Sequence, residues 1–267
     1  MQRAVTGLIG AFGVVLVIFQ GSENFFLGIV TASIVIASYE FHKITGEGRI
    51  SFSGFVALLL SPAVPAFFYF YPYNPLIAVV SFSVVVTMSA KIVFGPGERP
   101  PRDRYETSLF GLIYVAPLLS HFLLLRSLEN GSGAVFFVLM TVWMSDSVAY
   151  YTGKNFGTRR LAPTVSPGKT MEGAAGGLVG GVTGAVLASL ICFPELTPLK
   201  AALAGGVVGA TGQVGDLAES LIKREWGVKD SGTIIPGHGG LLDRLDSLFF
   251  AGPVFCLFLL VNGLLSF

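Results

Sequence analysis

Nine apolar runs, each close to 20 residues long, divide this chain before any motif does. They fall at about 4–20, 24–41, 52–71, 75–94, 108–125, 133–152, 171–193, 199–222 and 247–266. A helix rises ~1.5 Å per residue, so each run crosses, or nearly crosses, a ~30 Å hydrocarbon layer. Only 12% of residues are charged and 34 are glycine. A mean hydropathy of +0.73 completes the contrast with a soluble enzyme. The expected fold class is an all-α integral membrane protein, a polytopic bundle of about nine transmembrane helices. The first two runs are short and joined by Gln20-Gly21-Ser22-Glu23, so a tight hairpin that does not reach both faces is the alternative there. Ile18-Phe19-Gln20 lacks the small-residue pattern of a cleavage site, which keeps the first run a helix rather than a signal peptide.

Charge placement orients the bundle. Of the 17 cations, all but Arg126 and Lys200 lie at the N-terminus or in the loops after the second, fourth, sixth and eighth runs. By the positive-inside rule the N-terminus is cytoplasmic and the C-terminus outside, with every polar cluster facing the cytosol. The expected site is therefore cytosolic, in a multi-pass protein of the cell (cytoplasmic, inner) membrane. The loop Gly95–Glu106, rich in proline and arginine, reads as a linker lying against anionic headgroups.

Other chemistries find little support. Cys192 and Cys256 both lie inside apolar runs and read as small buried hydrophobes. Three scattered histidines offer zinc no ligand set. A net charge of +1 gives no argument for nucleic acid, and no such partner is expected.

Function concentrates in residues 131–267, the expected catalytic half of about four spans. Residues 1–130, about five spans, are expected to be scaffold facing lipid. Asp146 sits near the end of the sixth run, where Trp143, Asp146 and Tyr150 share one helical face. A carboxylate there is costly unless paired or solvated, so it marks a site or pairs with an arginine of a neighbouring loop. Next comes Ser166-Pro167-Gly168-Lys169-Thr170-Met171-Glu172-Gly173. The Gly-Lys-Thr is not a Walker A motif, because Pro163 stands where its first glycine belongs. Ser166 as N-cap with Pro167 in the first turn would put Lys169 and Thr170 where a helix start favours an anion. An ordinary helix start with a snorkelling lysine is the plain alternative. The seventh run carries Gly173, Gly177 and Gly181 on one ridge and Gly176, Gly180 and Gly184 on the next. Such rows bring helices close, within the monomer or across a homodimer contact. Packed within the monomer against the glycine-rich eighth run, they would bring Lys169 near Asp216.

The densest polar stretch runs from Asp216 to Asp246. Asp216, Glu219, Ser220 and Lys223 form one helical stripe, and Asp243 and Asp246 stand one turn apart. Between them Gly237-His238-Gly239-Gly240 supplies backbone N–H groups able to close around an anion. Carboxylates with no sulfur and little imidazole suit a hard cation such as Mg²⁺. Lys169, Lys223, Arg224, Lys229 and Arg244 suit phosphates held against it. The chemistry indicated is phosphoryl or nucleotidyl transfer.

Ser220-x-Ile222-Lys223-Arg224-x4-Lys229-Asp230-x-Gly232-x2-Ile235-Pro236-x-His238-Gly239-Gly240-Leu241-x-Asp243-Arg244-Leu245-Asp246 resembles the signature of the phosphatidate cytidylyltransferases, or CDP-diglyceride synthases, at every fixed position. Asp146 with Ala149-Tyr150 and Gly153-Lys154-x-Phe156-Gly157, and Ser166-Pro167-x-Lys169-Thr170-x-Glu172-Gly173, resemble two further family blocks. Lys154 stands where many relatives carry Arg. The resemblance covers the C-terminal half. It implies condensation of CTP with phosphatidic acid to CDP-diacylglycerol and pyrophosphate, with Mg²⁺ and room for a second, monovalent cation, among membrane lipids. Asp216, Asp243 and Asp246 are then the expected metal-proximal carboxylates, with Asp146 a further ligand or supporting group. Lys169, Lys223, Arg224, Lys229 and Arg244 would share the phosphates, together with Ser166, Thr170, Glu172, Gly239 and Gly240. His238 would shape the glycine turn or donate a hydrogen bond. A CTP-dependent polyprenol or lipid-alcohol kinase is the rival enzyme, releasing CDP instead. A transporter would need an inverted repeat, which the sequence does not display.

Overall fold

The computed structural model describes residues 12–71, 75–94, 105–234 and 239–265. Residues 12–20 form α1. There follow α2 (Glu23–Thr45), α3 (Phe52–Leu60), α4 (Ala63–Phe70), α5 (Pro75–Phe94), α6 (Tyr105–Arg126) and α7 (Gly131–Phe156). After a ribbon of β1 (Arg160–Ala162) and β2 (Ser166–Thr170), the chain continues as α8 (Met171–Ile191), α9 (Pro198–Glu225) and α10 (Leu242–Val261). The helices start where short polar side chains can take a free N–H. Ser22, Ser51, Asn130, Thr170 and Thr197 each accept from the backbone three residues on.

The all-α membrane bundle is what the chain forms. Among the described residues, six segments are long and apolar enough to span a membrane: Glu23–Thr45, Phe52–Phe70, Tyr105–Arg126, Gly131–Phe156, Met171–Ile191 and Leu242–Val261. The remaining expected spans are helical but differ in kind. The first run is described only from residue 12, α5 shows a shorter apolar stretch at Val80–Ser89, and α9 is diluted by glycine and by charges in its last turns. The run at 52–71 breaks into α3 and α4 at Ser61-Pro62, because a proline has no N–H to continue the ladder. The arginines of the loop 95–104 lie outside the described residues.

At the centre stands α6. Tyr114, fully buried, lies among Phe41 of α2, Phe110, and Phe249 and Phe250 of α10. Lower in the bundle Phe137 of α7 stacks on Phe255 of α10 at 4.7 Å between ring centres. Lipid tails are as apolar as these side chains, so close van der Waals fit and absent side chains carry helix association here. The glycine ridges of α8 supply it inside one chain. A β-carbon on Gly180 would lie 2.5 Å from the Met144 carbonyl oxygen of α7, and one on Gly181 would meet the Gly205 carbonyl of α9 at 3.0 Å. Both rows are thus used within the monomer.

One expected element is corrected. Ser166 and Pro167 do not start a helix: residues 166–170 are the second strand, pairing Arg160 with Thr170 and Ala162 with Ser166. The helix begins at Met171, capped by the Thr170 hydroxyl, which accepts from Gly173 N at 3.1 Å. Ribbon pairing of the segment wins over the Ser-Pro start, and a proline fits because a two-stranded ribbon is all edge.

Candidate active site

A cleft of about 790 Å³ opens where α7, α8, α9 and α10 meet the ribbon. The second half of α7 brings Asp146, Tyr150 and Lys154 to it, the ribbon Arg160, Ser166, Lys169 and Thr170, α9 Gln213 and Asp216, and α10 Asp243, Arg244 and Asp246. Trp143, one turn before Asp146 on the same helix, packs against the apolar core and is not part of the cleft lining. Lys169 Nζ lies 2.6 Å from Asp216 Oδ2, the neighbourhood expected from the glycine ridges. Asp146 feels the charges of both Asp216 and Lys169, and Asp246 those of Asp216, Glu219 and Asp146, so four carboxylates and one ammonium share one electrostatic neighbourhood. Among the described residues no three such side chains stand close enough to enclose an ion unaided.

Behind the cleft wall lies a second polar layer. Lys223, nearly buried, bridges Asp243 Oδ1 at 2.6 Å and Glu219 Oε2 at 3.1 Å. The other oxygen of Asp243, Oδ2, accepts from Ser231 N and Oγ and from Gly240 N. Asp243 therefore lines the cleft with both oxygens already engaged. Asp246 is less tied, its Oδ1 accepting from Ser247 N. Glu219 Oε1 and the Tyr114 hydroxyl, both buried, have no hydrogen-bond partner among the described residues.

The remaining expected residues are distributed differently. Arg224 donates from Nε to the Val165 carbonyl and from Nη1 to that of Val228, so it braces the ribbon. Lys229 is exposed and away from the cleft lining. Glu172 accepts from Thr158 N, Thr158 Oγ1 and Arg159 N, fastening the turn before β1. Gly239 has φ +84°, which suits glycine, and Gly240 gives its N–H to the protein's own Asp243. His238 lies outside the described residues. Two residues of the site carry no motif that marks them in sequence: Gln213, whose amide reaches Ser145 Oγ and the Ala174 carbonyl, and Glu40, a charge inside an apolar run. That position was the available signal, since an intramembrane carboxylate is expensive without a partner.

The fold and the site define an integral membrane helical bundle with a cleft lined by carboxylates and cations, a lining whose charges suit phosphate-bearing ligands. Residues 1–262 match the model of the cytidylyltransferase family, and the chain belongs to that family. It is 31% identical over 264 residues to a phosphatidate cytidylyltransferase of Bacillus subtilis (strain 168), covering 97% of each chain. A phosphatidate cytidylyltransferase of Pseudomonas aeruginosa is 33% identical over 281 residues, covering 98% of this chain and 97% of that one. An uncharacterized Escherichia coli (strain K12) protein, YnbB, is 47% identical over 155 residues, spanning 57% of this chain and 50% of that one.

Proposed function

We propose that this chain condenses CTP with phosphatidic acid, releasing pyrophosphate and forming CDP-diacylglycerol, at a cleft facing the cytosol. One observation carries the reading. Asp146, Asp216 and Asp246 line the same cleft as Lys169 and Arg244, at the convergence of the helices that hold the family motif. The names of full-length relatives support the substrate pair, and the cation asymmetry of the loops supports the cytosolic face.

The difficulty of this reaction is bringing two polyanions together. Phosphatidate, a phosphomonoester with second pKa near ~6, is largely dianionic at neutral pH, so its oxygen needs no strong base to attack the α-phosphorus of CTP. The bond to the β-phosphate oxygen breaks as the new one forms, and pyrophosphate leaves with that electron pair. Lys169 and Arg244, with Lys154 and Arg160 at the rim, neutralise and orient the phosphates. Asp146, Asp216 and Asp246 carry the hard oxygen donors that a divalent ion takes; they do not close around one by themselves, so they would hold Mg²⁺ only together with substrate phosphate oxygens, whereas the engaged oxygens of Asp243 suit it to shaping the wall. Bound there, Mg²⁺ would supply charge neutralisation at the phosphoryl oxygens. Tyr150, exposed and lining the cleft from α7, is the side chain that the incoming lipid headgroup would meet.

The test is purified protein with CTP and phosphatidate, with and without Mg²⁺ and EDTA, following pyrophosphate and liponucleotide together. Mg²⁺-dependent formation of both is expected, and Asp246→Asn should abolish it while the protein remains folded. Release of CDP with a phosphorylated lipid alcohol would replace this reading with the kinase, and normal turnover by Asp246→Asn would overturn the ligand assignment.

A further inference from the structure

Glu40 lies on α2, in the half of the chain that the family motif does not reach, and is only 1% exposed. Its carboxylate crosses the bundle to the start of α10. Oε1 accepts from Leu241 N at 3.1 Å, and Oε2 accepts from Leu242 N at 2.8 Å and from Ser231 Oγ at 3.2 Å. The α10 helix has no cap of its own, since Leu241 stands in the N-cap position without a side-chain hydrogen bond. Glu40 thus takes that role from 201 residues away, satisfying two free N–H groups at the positive end of the helix. The ring of bonds then passes through Ser231 to Asp243, and from Asp243 to Lys223. Gly232 and Gly240 are shaped to it, because a β-carbon on either would come within 2.6 Å of a Glu40 oxygen.

Capping α10 does not by itself call for this arrangement. A serine at 241 would do so locally, without burying a charge inside an apolar run. What a cap from α2 adds is a fixed relation between the scaffold half and the first turn of α10, in both height and rotation. Asp246 follows Asp243 by three residues, at the start of the next turn of α10, and lines the same cleft as Asp216. We infer that Glu40 is a positioning residue for the carboxylates of α10, setting where Asp246 stands relative to Asp216. This rests on the reading that Asp216 and Asp246 hold the divalent ion.

The experiment uses the full chain in lipid nanodiscs, as wild type, Glu40→Gln, Ser231→Ala and a comparator, Asn130→Ala. Asn130 caps α7 at the end remote from the cleft, accepting from Gly133 N at 3.2 Å. Three quantities are measured: the Mg²⁺ concentration for half-maximal liponucleotide formation, Mn²⁺ binding by EPR without substrates, and the thermal midpoint. Groups that orient metal ligands typically change affinity by about 10- to 100-fold when altered. Glu40→Gln is expected to raise both metal requirements about tenfold, and Ser231→Ala to raise them about threefold. Asn130→Ala should lower the midpoint and leave both unchanged. If Glu40→Gln and Ser231→Ala melt lower yet keep wild-type Mg²⁺ and Mn²⁺ dependence, Glu40 is a structural cap only and the inference is overturned. Should Glu40→Gln fail to fold, the Mn²⁺ curve of Ser231→Ala decides in the same way. A wild-type protein that binds no Mn²⁺ and makes no liponucleotide would instead sink the function proposed above, a result distinct from either variant outcome.

Discussion

Replacing Lys223 by methionine separates two roles for that lysine, an internal counter-ion and a phosphate ligand. Its ammonium lies 2.6 Å from Asp243 Oδ1 and 3.1 Å from Glu219 Oε2. At ~3 Å and an effective dielectric of about 20, each attraction is worth about 5 kcal/mol before desolvation is charged against it. Methionine keeps most of the volume but strands Glu219, which is 0% exposed and has a second oxygen already without a partner. Breaking such a buried pair costs about 3–5 kcal/mol. Asp243 suffers less, because Ser231 and Gly240 still donate to it. Thermal unfolding in detergent micelles, followed by helical circular dichroism, should show a midpoint lower by on the order of 10 °C. Lys223→Met combined with Glu219→Gln should recover more than half of that loss, since no charge is then left stranded. A single variant that melts like wild type but needs far more CTP would refute the reasoning and return Lys223 to the substrate.

Two further outcomes test other parts of the structure. Lys169→Ala removes the ammonium facing Asp216, and a lost charge-assisted contact of about 1.5–3 kcal/mol should lower kcat/KM for CTP by about 10- to 100-fold in steady-state assays, with little change in thermal midpoint. Gly180→Val drives a side chain into the Met144 carbonyl and Val148, and should destabilise by about 1–3 kcal/mol, while Gly206→Val, whose β-carbon meets only Val182 Cγ2 at 3.9 Å, should melt like wild type.

Much of the frame was legible because hydrocarbon imposes one simple requirement, an apolar run of sufficient length, and the glycine ridges of α8 announced close approach to their neighbours. Lys169 meeting Asp216 followed from those two facts together. What escaped was decided by tertiary partners. Lys223 looks identical in sequence to a phosphate-binding lysine, and only the fold reveals that Glu219 and Asp243 surround it. Ser166-Pro167 has the composition of a helix start, yet pairing with Arg160–Ala162 makes it a strand. Glu40 was visible as an isolated charge in an apolar run, but its partners lie some 200 residues away, a separation that no local pattern encodes.

The ribbon holding Lys169 has a small apolar footing of its own, where Val165 and Leu161 meet Leu217 and Leu221 of α9 and Ile92 of α5. The lysine and Asp216 consequently ride on a common mount, since Asp216 directly precedes one of those leucines. The exposed tip at Pro163-Thr164 takes no part in that footing. Chain length can vary at that tip without detuning the cleft, whereas trimming Val165 would loosen the mount and let the two charges drift apart.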